Sequence, residues 1–202
     1  GFNPNSIIVD APISVKQVDG IWRPQNSSNE WFGVAPLRKG LEYSRNLMTV
    51  RLAKEIGMSE VKKYAELFGL YDDMPTFLSY ALGAGETTLF RLITAYSTLA
   101  NGGLEVEPSF FDLIQDRFGT TVYKHGHLRC LGCRNGSGPD NRKPIFLNMA
   151  KRIIDPISIF QINSMLQGVV KRGTASQTVG TMGLPIAGKT GTTNNAKDVW
   201  FV

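Results

Sequence analysis

Apolar residues recur at helical spacing in four stretches of the chain. Leu47, Val50 and Ala53, with Met48, Leu52 and Ile56 beside them, keep that spacing up to Gly57. Val61, Tyr64, Ala65 and Phe68 sit at i, i+3, i+4 and i+7, with Gly69 as the stop. A third helix carries Leu89, Leu92, Ile93, Tyr96, Leu99 and Ala100 and ends at Asn101-Gly102-Gly103. The fourth has Asp155 as N-cap and Pro156 at its first position, an apolar face of Ile159, Ile162, Met165, Leu166, Val169 and Val170, and Gly173 as its close. Strands are predicted at Ser6–Asp10 and over 186–193 and 199–202. Phe110 to Gln115 and Thr121 to Tyr123 flank Asp116-Arg117-Phe118-Gly119, which is a hairpin signature. The rest of residues 1–40, including Trp22-Arg23-Pro24-Gln25-Asn26, reads as irregular, and residues 124–150 read as a polar loop. Helices followed by antiparallel strands late in the chain, with no internal repeat, predict an α+β layered domain.

Composition narrows the classes. A chain of 202 residues, 42% apolar, suits one domain with a buried core. No stretch reaches the ~20 apolar residues that a membrane-spanning helix needs. The first residues read as a turn and the last as a strand in progress, so the domain is expected to continue at both ends. The net charge of +5 is spread over doublets such as Arg38-Lys39, Lys62-Lys63, Lys151-Arg152 and Lys171-Arg172. These are solvated faces, and no basic stripe interleaved with aromatics argues for nucleic acid. The two cysteines, Cys130 and Cys133, share a short segment with His125 and His127. Zinc modules bring separated ligand pairs together, which one short loop does poorly, so no metal and no cofactor is expected. A thioredoxin-like redox pair would need a βαβ context that is absent.

The sharpest chemical signal is Lys189-Thr190-Gly191-Thr192-Thr193 on a predicted strand. A lysine there supplies positive charge to a proton relay and to an anionic substrate. The hydroxyls of Thr190 and Thr192 can bind a carboxylate, and Gly191 leaves room for a ligand's backbone along the strand. The Thr192 N–H can face a carbonyl oxygen under attack. The bland alternative is an edge strand with a solvated lysine. The second signal is Ser44-Arg45-Asn46 ahead of an apolar helix. Taken alone, this is a helix cap; ahead of Lys-Thr-Gly, it matches Ser-x-Asn, in which the serine hydroxyl relays a proton and the asparagine orients substrate. Ser27-Ser28-Asn29 fits the same pattern but lies in a polar loop. Ser59-Glu60-Val61-Lys62 fits Ser-x-x-Lys but follows Ser44 instead of preceding it, and Ser59 has a sufficient role as the cap of its helix. Both are set aside.

With these motifs in order, the chain resembles the transpeptidase domain of class A, bifunctional penicillin-binding proteins of the 1A type. The resemblance runs through Ser6–Ile13, Trp22–Asn26, Leu37–Leu41, Ser44–Leu47, Ala81–Thr88, the stretch from Ala95-Tyr96 to Gly103, Met165–Val170, Gly173–Ala175 and Ala187–Val202. Residues 1–202 thus read as a partial transpeptidase domain with an atypical loop insert at about 120–150. The resemblance implies a serine β-lactamase/DD-peptidase-like fold, an antiparallel sheet flanked by helices. It implies a serine acyl-transferase that cross-links peptidoglycan stem peptides and is trapped by β-lactam antibiotics. Ser44, Asn46, Lys189 and Thr192 would be catalytic, and Thr190, Gly191 and Thr192 would bind substrate. The family's Ser-x-x-Lys nucleophile, glycosyltransferase domain and membrane anchor would lie upstream. The complete protein would sit in the cytoplasmic membrane, facing the periplasm or cell exterior, with stem peptides and glycan strands as partners. That oxidising compartment predicts a local disulfide between Cys130 and Cys133. Two alternatives share the groove: a β-lactamase or β-lactam sensor, and a non-catalytic wall-binding module. A hydrolase needs a carboxylate on its deacylating water, and Glu86, the acid considered, lies in a segment matching the transpeptidases.

Overall fold

The computed structural model describes residues 1–17, 20–131, 145–193 and 197–202. The N-terminal part is more regular than its composition suggested. β1 (Ile7–Asp10) pairs antiparallel with β4 (Gly33–Pro36), matching Ile8 with Ala35. Between them, β2 (Val15–Gln17) and β3 (Gly20–Trp22) form a short antiparallel ladder. Helix α1 (Leu37–Glu42) follows β4 directly. β1 lies where the sequence predicts a strand; β2, β3 and α1 span three to six residues each, too few for a periodic signal, which is why their sequence reads as irregular. In β1, Ile8 and Asp10 are buried while Ile7 and Val9 face outward, the alternation of a half-buried strand.

Helix α2 (Asn46–Ile56) lays its Leu47, Met48, Val50 and Ala53 inward. Met48 packs with Ile8 and Ala35 in one core, supported by Leu37 and Leu52. Gly57, at φ 87°, ends α2 and caps α3 (Met58–Leu67). Ser59 therefore lies inside the first turn of α3, which has no side-chain cap, so the capping role expected for it is wrong. Helix α4 (Leu89–Ala100) matches its predicted span and opens on the Thr88 side chain, which accepts from the Arg91 N–H.

The hairpin of β5 (Leu113–Gln115) and β6 (Thr121–Lys124) forms as predicted, its turn fixed by Asp116 accepting from the N–H groups of Phe118 and Thr120. The expected polar loop over 124–150 instead contains a second hairpin, β7 (Leu128–Leu131) against β8 (Ile145–Asn148). Cys130, on β7, is disulfide-bonded; Cys133 lies outside the described residues. The His125 ring is engaged at both nitrogens, by the Glu107 carbonyl and the Tyr123 hydroxyl.

Helix α5 (Pro156–Lys171) opens on Asp155, whose carboxylate accepts from the Ser158 N–H at 2.9 Å. Its Val169 and Val170 form a second core with Ala175, covered by Val179 and Ile186. The last strands, β9 (Thr190–Thr192) and β10 (Val199–Phe201), pair antiparallel, Thr190 opposite Phe201 and Gly191 opposite Trp200. The strand predicted over 186–193 is thus regular only over Thr190–Thr192, toward its C-terminal end. Strand pairing among the described residues is antiparallel throughout and occurs as five two-stranded units. Among those residues no helix is long and apolar enough to cross a membrane.

Candidate active site

Ser44 sits at the end of α1 in an unusual backbone state. Its φ is +53°, and it is the one non-glycine residue with positive φ among the described residues. The Ser44 N–H donates to the Leu41 carbonyl and the Arg45 N–H to the Gly40 carbonyl. Those two bonds are the pair that closes a helix in a Schellman turn, with Ser44 at the left-handed position that glycine usually fills. The cap of α2 is Arg45 and uses no side chain, so the cap reading of Ser44 fails. The hydroxyl instead accepts a hydrogen bond from the Lys189 ammonium at 2.9 Å, across 145 residues of sequence.

A buried polar network holds this turn. Arg45 donates from Nε to Asp10 at 2.8 Å, from Nη1 to the Ser28 hydroxyl and from Nη2 to the Glu30 carbonyl, and lies 4.3 Å over the Phe32 ring. Asp10 also accepts from the Asn26 amide and the Phe32 N–H. Burial pushes the Asp10 carboxyl up, but these three donors outweigh it and leave it below the usual carboxylate range. Asn26 uses its carbonyl oxygen on the Leu47 N–H, so the same network fixes the start of α2. The Trp22–Asn26 loop and the rejected Ser27-Ser28-Asn29 segment thus hold the site from behind.

Lys189 lies one residue before β9, and the ladder continues through it: its N–H donates to the Val202 carbonyl, and its carbonyl accepts from the Val202 N–H. A Cβ at Gly188 would fall 2.4 Å from the Phe201 ring and 2.7 Å from the Val202 carbonyl oxygen, so that position has no room for a side chain. The Lys189 ammonium also donates to the Thr190 carbonyl at 2.8 Å. Burial disfavours its charge and lowers its pKa from the ordinary lysine value. A lysine held this way can give up a proton more readily, and the Ser44 hydroxyl is already in contact to receive one.

Of the remaining residues singled out, Asn46 is the first of α2, and its amide donates to the Gln25 carbonyl at 2.9 Å. That bond runs to the supporting loop, not to Ser44 or Lys189. Thr190 and Thr192 are two apart on β9 and share a face. The Thr190 hydroxyl lies 2.7 Å from that of Thr174. Thr192 is exposed, and a Cβ at Gly191 would meet nothing within 4 Å, so this stretch is open for a ligand. Lys62 of the rejected Ser-x-x-Lys is tied to Asp73 and Glu66 and makes no bond to Ser59. Sequence reading missed Thr174, Glu42 and Arg172. Gly173-Thr174-Ala175 stood out only as a matching segment, and nothing local links it to Thr190.

Comparison with known proteins gives the family and the fold. The family profile described as the penicillin binding protein transpeptidase domain matches residues 1–202. Penicillin-binding protein 1A from Rickettsia conorii is 40% identical over 208 residues, covering 100% of this chain and 26% of that protein. The chain therefore spans about a quarter of that relative's length. The crystal structure of penicillin-binding protein 1A from Haemophilus influenzae superposes with a TM-score of 0.82 at 28% identity, covering 100% of this chain and 33% of that one. PonA1 from Mycobacterium tuberculosis, solved in complex with penicillin V, shares the fold at a TM-score of 0.72 and 17% identity, covering 100% of this chain and 52% of that one.

Proposed function

The chain belongs to the penicillin-binding protein transpeptidase family, and from that membership we propose that it is part of a peptidoglycan DD-transpeptidase. In this reading a serine of the family's Ser-x-x-Lys attacks the D-Ala-D-Ala bond of a stem peptide. The acyl group then passes to an amine on a neighbouring stem. Residues 1–202 form a partial transpeptidase domain, with residues of about 120–150 as an insert. The one Ser-x-x-Lys in this sequence, at Ser59, is out of the family's order, and its lysine is paired elsewhere.

The observation that carries the reading is the 2.9 Å bond from Lys189 to Ser44, two motifs meeting in the family's order. Ser44 relays the proton needed by the departing amine, and Lys189 supplies it. Asn46 orients the peptide, the hydroxyls of Thr190 and Thr192 hold its terminal carboxylate, and the Thr192 N–H faces the scissile carbonyl. The open stretch at Gly191 supports a peptide lying along β9. β-Lactams carry the same carboxylate and carbonyl, and penicillin V is bound in the PonA1 structure. We place the complete protein at the cytoplasmic membrane, facing the periplasm or cell exterior, with stem peptides and glycan strands as partners.

The test is the second-order acylation rate by a labelled penicillin in the complete protein. Lys189→Ala is expected to slow it at least ~10-fold, the worth of one charge-assisted hydrogen bond. Lys189→Arg keeps the charge but not the geometry and is expected to recover part of the rate. Wild-type acylation in a folded Lys189→Ala protein would make β9 merely structural. Rapid turnover of the drug would instead favour a β-lactamase.

A further inference from the structure

Glu42, the last residue of α1, is fully buried, and its charge has no part in the chemistry above. Arg172, just past α5, grips its carboxylate with two nitrogens, Nε to Oε2 at 2.8 Å and Nη2 to Oε1. Arg38 adds a second cation at 3.6 Å. The Glu42 backbone carbonyl accepts from the Thr174 N–H at 3.1 Å. The fit is tight: a Cβ at Gly173 would fall 2.1 Å from the Glu42 carbonyl oxygen, and one at Gly168 2.2 Å from Oε1. The end of α1 is therefore plugged into a slot made by α5 and the turn after it.

Both ends of this plug lead to the site. Ser44 follows two residues later in the same turn. Thr174 carries its hydroxyl to within 2.7 Å of the Thr190 hydroxyl, beside Lys189. A buried carboxylate is costly unless paired, and an apolar side chain would fill the slot without that cost. What the ion pair adds is direction, because a two-point guanidinium–carboxylate contact fixes angle as well as distance. We propose that Glu42 and Arg172 are positioning residues that set the spacing of Ser44 from Lys189, acting through Thr174 and Thr190. This inference rests on the reading of Ser44 and Lys189 as proton-transfer groups.

The experiment uses the complete chain with the family's acylating serine and separates the noncovalent dissociation constant of a labelled penicillin from the acylation step that follows. Glu42→Gln and Arg172→Lys are compared well below their unfolding temperatures. Arg172 is part-exposed, so Arg172→Lys tests the idea even if Glu42→Gln folds poorly. Each variant is expected to slow the acylation step at least ~10-fold, since small misplacements of reacting groups are costly, with the dissociation constant changed by less than about twofold on the same argument. Thr174→Val added to Arg172→Lys is expected to cost no more than the slower single change. Parental acylation in Arg172→Lys, or losses that multiply in the double variant, would overturn the proposal. Lys189→Ala in the same series tells the two failures apart. If it acylates normally, the functional reading falls and this inference with it; if it is slow while Arg172→Lys is normal, only the positioning role falls.

Discussion

Ser44 holds a backbone position that suits glycine, and the two demands on it can be separated by substitution. At φ +53° a side chain crowds the following carbonyl, at a cost of roughly 1–2 kcal/mol for an L-residue. Glycine removes that crowding but loses about 0.4–1 kcal/mol through the greater freedom of its unfolded chain. Ser44→Gly should therefore be more stable than Ser44→Ala by about 1 kcal/mol, or ~2–4 °C in the melting temperature of a domain this size. Both variants lose the hydroxyl that accepts from Lys189. A charge-assisted bond is worth ~1.5–3 kcal/mol, so both should acylate roughly 10- to 150-fold more slowly, and equally so. Urea or thermal unfolding gives the first difference and labelled-penicillin kinetics the second. An alanine variant as stable as the glycine one would refute the strained turn. Acylation that differs widely between the two would show that the hydroxyl is not the common cause.

The remaining predictions use other parts of the same frame. Asp10→Asn leaves Arg45 buried without its counter-charge and should destabilise the fold by about 3–5 kcal/mol, read from urea midpoints. Because the folded Asp10 carboxyl lies below its usual value, its contribution is present above that value and is lost as pH falls through the folded one; Asp10→Asn should flatten the acid limb of the stability curve. Lys189 has the same slope for a different reason: its folded pKa is lowered, so its charge opposes folding at low pH, and stability rises as pH climbs from the folded pKa toward the ordinary lysine value. Lys189→Met should remove that rise in a pH series of unfolding curves. Gly188→Ala drives a methyl into Phe201 and the Val202 carbonyl and should cost ~1–3 kcal/mol while splaying β10 from β9, visible as faster amide exchange at Val202.

The long helices were legible because each buries a stripe that repeats over several turns; α4 and α5, with Asp155 and Pro156 at the head of α5, needed only local chemistry. The family and the motif pair were legible too, because Ser44-Arg45-Asn46 and Lys189-Thr190-Gly191 are short words in a fixed order. β1 was legible at Ser6–Asp10, but β2, β3 and the β7–β8 hairpin were not, since three or four residues carry no period and gain their stability only from pairing with a partner strand. The same reason governs the site. Ser44 looked like a helix cap because a serine before an apolar helix satisfies local donors. Only the tertiary packing brings Lys189 to its hydroxyl, sets Arg45 against Asp10 of β1, and, where α1 closes onto α5, joins Glu42, Arg172 and Thr174 behind Thr190. Contacts of this kind couple residues far apart in sequence through packing, and nothing in the order of neighbouring residues encodes them.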